Sequence, residues 1–403
     1  MIFRSLLLRC ALALLLIAIA LWWNLSQRAV APPAAQAAQA AVARGPAAEF
    51  GHWERRAGGS VPTPPGVAAA HASALLAMPA GDASALTVFW FAGDRESAPN
   101  VEIAASQFDR KSQAWTAPQT VVNRHVVGAA LGAGVRRLGN PIAWIDASGR
   151  MHLFVVATGW GGWAASRIVH LRQASAPGDA ALRFEPLGLL PLSWFWNISY
   201  LVRTAPLQLA DGGMVLPAYF ELGIKTPVAL RFDASGAYLG MVRISRRSFI
   251  LQPALLALGP SHWTALMRDH SDQGKIRVAK TLDGGATWHD GADLPLDNPD
   301  SGVATLSVGA QHLLAFNPST TNRQTLRLAS SSDGAAWTPV EDLERGGPDH
   351  EYSYPAMAWA DESLWVSYTD RRTRIAWRRF DWVAGTSTPI RSAAPPAAPK
   401  AAP

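Results

Sequence analysis

Arginine and tryptophan are the side chains of this sequence with the most chemistry to offer. A guanidinium fork holds a carboxylate through two parallel hydrogen bonds, which lysine does not match. Arg95 stands in Gly93-Asp94-Arg95-Glu96, Arg203 in Leu201-Val202-Arg203-Thr204, Arg268 after Leu266-Met267, and Arg323 after Thr321-Asn322. Some of these could merely pair with neighbours, Arg95 with Glu96 and Arg268 with Asp269 or Asp300. A denser run, Arg371-Arg372-Thr373-Arg374 and then Arg378-Arg379, is interleaved with Ile375 and Trp377. It reads as a last strand with one solvated face, near anionic lipid, with Arg372 turned inward as the alternative. There are 17 Trp against 6 Tyr. In a β protein such an excess lines sugar sites or fills repeated core positions. Trp194 and Trp196 fit either role. Cys10 is the single cysteine, which excludes an intrachain disulfide and a Cys-based zinc site. No acidic cluster has metal-ligand spacing, so neither metal nor cofactor is expected.

These residues need a frame. The chain has 403 residues, 49% of them apolar and 16% charged, which supports a large core and argues against disorder. A net charge of +6 without long basic runs argues against a nucleic-acid partner. Residues 1–30 carry Arg4 and Arg9 ahead of an uncharged stretch from Cys10 to Trp23, a membrane anchor or signal segment that exports the body to a bacterial periplasm or beyond. Residues 31–60 read as an Ala/Pro-rich tether and 384–403 as a disordered Ala/Pro tail.

Residues 61–383 repeat one pattern: a small residue or proline, a short apolar strand, a turn, and a strongly apolar strand. It occurs at Asn140-Pro141 with Met151 to Ala157, Ala205-Pro206 with Met214 to Tyr219, and Gln252-Pro253 with Trp263 to Met267. Further copies are Gly302-Val303 with His312 to Phe316, Tyr354-Pro355 with Leu364 to Tyr368, and a weaker His71-Ala72-Ser73 with Leu86 to Phe91. Six such units predict an all-β, six-bladed β-propeller around a central channel. Arg203 opens the third unit and should face the channel mouth.

Thr281-Leu282-Asp283-Gly284-Gly285-Ala286-Thr287-Trp288 fits the Asp-box pattern Ser/Thr-x-Asp-x-Gly-x-Thr-Trp at every fixed position. Ser331-Ser332-Asp333-Gly334-Ala335-Ala336-Trp337 is a second copy one residue short, and stretches ending at Trp115 and Phe184 look like eroded ones. The Asp accepts turn hydrogen bonds, glycine takes the positive-φ position and Trp packs beneath, so a box reports fold and carries no chemistry. Asp boxes on a six-unit β array resemble the sialidase (neuraminidase) superfamily, here over roughly residues 65–382. Trp90-Phe91-Ala92-Gly93-Asp94-Arg95-Glu96 and Glu351-Tyr352-Ser353-Tyr354-Pro355-Ala356 resemble segments of its bacterial Asp-box members.

The resemblance implies a glycosidase in which three arginines hold the carboxylate of an acidic glycan. A Tyr activated by a Glu is then the nucleophile, and an Asp the acid/base. Carried over by position, Arg268 and Arg323 resemble the second and third arginines and Tyr352 the nucleophile. Departures come with it: His71 stands where the first arginine is expected, and Gln252 where the Glu is. Asp94, Glu96 or Asn100 falls in the acid/base segment. Arg95, Arg203 and Asn317 complete the substrate-binding candidates. Two other readings stay open. His71 and Tyr352 could act as a lyase on a uronic-acid glycan, or Glu221 could be a replacement acid; a propeller that only binds glycan is the non-enzymatic alternative.

Overall fold

The computed structural model describes residues 2–26, 36–46, 51–193, 197–271 and 273–385. Trp194 and Trp196 lie outside the described residues, as does most of the C-terminal tail. Six antiparallel sheets follow one another along the chain, each meandering outward from an innermost strand. The innermost strands of blades 1, 2, 4, 5 and 6 are Ala69–Ala77, Arg137–Ile145, Ile250–Ala257, Ala304–Val308 and Tyr352–Ala360. In blade 3 this strand is broken into Tyr200–Val202 and Leu207–Gln208, both paired with Met214–Phe220. Second strands such as Ser84–Gly93, Met151–Thr158 and Ser363–Asp370 are buried on both faces, which is why they read as continuous apolar runs. The core is a ring of clusters wedged between adjacent blades. One packs Phe89 and Val101 of blade 1 against Leu153 and Leu171 of blade 2.

Both Asp boxes close the turn between a blade's third and fourth strands. Asp283 accepts from Thr287 N and Oγ1 at 2.9 and 2.6 Å, and Asp333 from the Ala335 and Ala336 amides at 2.8 Å. Those two amides hold the Asp333 carboxyl down to about 2.

Two segments expected to be linker are built into the fold. Gly51–Ser60 pairs antiparallel with Arg374–Ala384 as the outermost strand of blade 6, so the propeller begins at residue 51 instead of 61. Residues 36–46 form a strap across the face that carries the Asp boxes. Ala38 N donates to Gly284 O, Ala40 N to Pro260 O and Gly309 N to Ala43 O. Gly284 is required for this approach, since a Cβ there would lie 1.9 Å from Ala38 O. Ala41, Val42 and Ala43 cover the channel on this face, above a cavity of about 290 Å³ lined by all six blades. Ile2–Ser26 forms a helix whose described side chains, Leu7 to Trp22, are exposed. Among the described residues no helix is long and apolar enough to cross a membrane.

Candidate functional site

The opposite channel mouth rests on one backbone device used four times. Pairing of the innermost strand slips between His71 and Ala74, Gly139 and Ile142, Leu251 and Ala254, and Ser353 and Ala356. At each slip one residue adopts positive φ: Ala72 (53°), Asn140 (43°), Gln252 (49°) and Tyr354 (53°). Proline follows the last three. A bulge leaves an amide outside the ladder, so the donor that proline lacks is not missed. Left-handed backbone costs a residue with a Cβ about 1–2 kcal/mol, and such strain gathers at functional sites. Carbonyls freed near the bulges are taken by blade 3. Arg203 donates from Nη1 to Ser73 O at 3.3 Å and from Nη2 to Pro355 O at 3.4 Å, and Thr204 donates to Pro253 O.

The bulge in blade 6 lifts Tyr354 into the centre of the mouth. Its ring lies 4.7 Å from the His71 ring, 4.7 Å from the Arg203 guanidinium and 5.9 Å from that of Arg323. Gln252 accepts from Arg268 Nη1 at 3.3 Å and donates to Tyr219 Oη at 3.4 Å. Around these runs a chain of ion pairs. Arg268 pairs with Asp300, which also bonds His270 Nδ1 at 2.8 Å. Arg323 pairs with Glu351 at 3.0 Å and donates to Asp300 O. Arg372 grips Glu351 through Nε at 3.0 Å and Nη2 at 3.2 Å and reaches Glu96 through Nη1. Glu96 Oε2 ends the chain 3.9 Å from His71 Nε2. Arg268, Arg323 and Arg372 thus share Asp300, Glu351 and Glu96, while Arg203 pairs with backbone carbonyls alone.

Burial, then Arg372, Arg203 and Arg323, hold the His71 imidazole well below its usual 6.5, so it is neutral at pH 7. Both its ring nitrogens are buried without a hydrogen-bond partner. Burial lowers Arg203 to about 10, still charged at neutral pH. Burial also works against the charge of Arg268, but the Asp300 bond together with the fields of Tyr354, Asp300 and Tyr219 holds it above the ordinary value. Burial opposes ionisation of Glu351 as well, and Arg372 and Arg323 nonetheless hold that carboxyl down.

Neutral histidines make stability pH-dependent. His71 lies well below 6.5 and His170, buried against His152, at about 3. Unfolding returns each to about 6.5, so below that pH the unfolded chain binds more protons. Stability is complete above pH 6.5 and falls as pH drops toward the folded values, by up to about 1.4 kcal/mol per pH unit for each histidine. Denaturant titrations at pH 7.5 and 5 should show this loss, and His71→Leu should reduce it. Equal slopes in the two proteins would exclude His71 as a source.

Of the sequence candidates, His71, Arg203, Gln252, Arg268 and Arg323 converge at the mouth. Tyr352 does not: it is buried in the core cluster of blades 5 and 6 with Met357 and Tyr368. Asn317 is fully buried as a brace, donating to Thr325 O at 2.8 Å and Tyr352 O at 2.9 Å and accepting from Ser301. Asp94 and Arg95 are exposed, and Glu96 is the residue of that loop within reach of His71. Glu221 follows the second strand of blade 3 and is half-buried; burial, then its charge, pushes the Tyr219 phenol up. Tyr354, Arg372, Glu351 and Asp300 complete the site. For Tyr354 the sequence held a signal, since it precedes the strand proline as Gln252 does. Among the described residues no group of His, Cys, Asp and Glu could hold a metal.

The BNR repeat-like domain model matches residues 84–366. The chain belongs to this family. Its fold is similar to that of solved sialidases. A Hadza microbial sialidase superposes with a TM-score of 0.62 at 15% identity, covering 77% of this chain and 65% of that one. A Trypanosoma rangeli sialidase, in complex with the inhibitor DANA, gives 0.62 at 14% identity over 81% of this chain and 58% of its own. A protein of unknown function from Dyadobacter fermentans gives 0.63 at 11% identity, over 83% of this chain and all of that one. The chain therefore spans 58–65% of the length of these two sialidases. No curated protein matches the sequence.

Proposed function

We propose that this BNR-family propeller is a glycan-active enzyme that cleaves the glycosidic bond of a carboxylated sugar at the channel mouth. The observation that carries this is Tyr354, raised on a strained bulge among Arg203, Arg323 and His71. A matched T. rangeli sialidase is in complex with sialic acid, which supports an acidic ligand. Arg268 and Arg323 hold the carboxylate, and the Tyr354 phenol attacks the anomeric carbon. An anionic substrate repels a carboxylate nucleophile more than a phenol. The Gln252 amide cannot take the phenol proton. Neutral His71 can, and through Glu96, 3.9 Å away, passes it to the leaving oxygen as the glycosidic bond breaks; water then adds to the anomeric carbon, its proton restoring the Tyr354 phenol as the sugar leaves.

The same imidazole supports a second reading. On a uronic-acid glycan His71 takes the α-proton, the arginines stabilise the resulting charge, and the bond breaks by β-elimination. One experiment separates the two. Purified protein is incubated with aryl sialosides, aryl glucuronides and uronate polysaccharides. Release of aglycone with free acidic sugar is the expected result. Absorbance of a 4,5-unsaturated uronate supports the lyase instead. Binding without either product leaves a glycan-binding propeller and refutes both. As part of the same proposal, residues 1–30 export or anchor the propeller at a bacterial envelope, which fractionation with and without that segment reads.

A further inference from the structure

We infer that Arg372 is a ligand-binding residue of this site and supplies a guanidinium for the substrate carboxylate beside His71; the inference rests on the acidic-sugar reading above. Arg372 lies in the turn joining the second and third strands of blade 6. Its carbonyl accepts from Ala70 N at 3.1 Å, which fixes the turn against the residue preceding His71. After burial, its charge is the largest of those keeping His71 neutral. Position 71 itself therefore offers no cation, and the guanidinium acting on it most strongly comes from across the seam between blades 6 and 1.

Two observations favour a ligand over a purely structural role. Both central residues of the turn have positive φ, Arg371 at 52° and Arg372 at 60°. Such turns favour asparagine and glycine, and arginine there costs stability. The side chain is also not saturated. Nε, Nη1 and Nη2 each give one hydrogen to Glu351 or Glu96, and a guanidinium has five. One hydrogen on Nη1 and one on Nη2 remain for a ligand oxygen, on a side chain 45% exposed.

Strain makes the test clean. Glycine suits a left-handed position, so Arg372→Gly should melt at the same temperature or higher. Isothermal titration would use N-acetylneuraminic acid and D-glucuronic acid, each beside its methyl ester. Wild type is expected to prefer at least one acid over its ester. Arg372→Gly should weaken that acid by about 10- to 100-fold and leave the ester unchanged, and Arg372→Lys should recover little, because a point charge lacks the fork. Unchanged acid binding in Arg372→Gly, with a loss in Arg268→Gln, overturns this inference and leaves the acidic-sugar reading standing. A lower melting temperature with unchanged binding makes Arg372 a brace for Glu96 and Glu351 and also overturns it. Wild type that binds acid and ester alike, or neither, removes the reading and the inference together.

Discussion

Tyr354→Phe should reduce turnover of an acidic glycoside by about 10³-fold or more, whereas Tyr352→Phe should leave it within a few-fold. Two tyrosines separated by one residue on a regular strand share a face. Here they do not, because the bulge between Ser353 and Ala356 inserts a residue and breaks the alternation. Tyr352 consequently faces the core with Tyr368, while Tyr354 faces His71 and Arg203. Only Tyr354 has its ring beside the guanidiniums that would hold the substrate. Its substitution removes one oxygen and keeps the ring that stacks on Arg203, so the melting temperature should hold and KM should change far less than kcat. The assay is the aryl-glycoside release described above, with the melting curve of each variant as control. Equal losses in the two variants, or a larger loss in Tyr352→Phe, would sink the assignment of the nucleophile.

That pair of residues shows where the sequence is readable. Blade number and the second strands were legible, because a strand buried on both faces is a continuous apolar run and six recur. Arg268 and Arg323 were legible through the resemblance, one at the end of an apolar strand and the other ahead of the second Asp box. A bulge leaves no pattern of its own in one strand, and only comparison between blades exposes it. Gln252-Pro253 and Tyr354-Pro355 stand at the same point of their units, and the side chain before each proline enters the mouth. Arg372 was legible only as an alternative within the run around it. Most of those arginines do lie on the last strand and its turn, where Arg371 and Arg374 pair with buried Asp370 and Arg378 with Glu344, and only the turn geometry aims one of them at Glu96 and Glu351.

The strand Gly51–Ser60 was the least legible element, and removing it should have the largest effect on stability. Its residues, Gly51-His52-Trp53-Glu54-Arg55-Arg56-Ala57-Gly58-Gly59-Ser60, show no apolar alternation, because an outermost strand buries little on either face. Its partner, Arg374–Ala384, lies at the other end of the folded chain, where no local pattern can announce it. This pairing closes the ring: the first strand of the propeller completes the last blade. Trp53 anchors it, with ring centroids 5.2 Å from Trp382 and 6.0 Å from Trp359. A chain starting at residue 61 would leave Arg374–Ala384 as an open edge and strip the cover from that aromatic cluster, inviting edge-to-edge association. It should be recovered as aggregate or melt far below a chain starting at residue 51, which loses the strap but keeps the closure. Trp53→Ala isolates the anchor. Truncating a buried Trp costs about 3–5 kcal/mol, which for a domain of this size lowers Tm by about 5–10 °C. Matching melting curves for chains starting at 51 and 61 would mean that the ring holds without its closing strand. The mouth residues of blades 1 and 6, which the closure keeps in register, should then still meet in the shorter chain. Its ability to discriminate acid from ester, measured on whatever fraction stays soluble, therefore reports whether the seam between Arg372 and His71 depends on that strand.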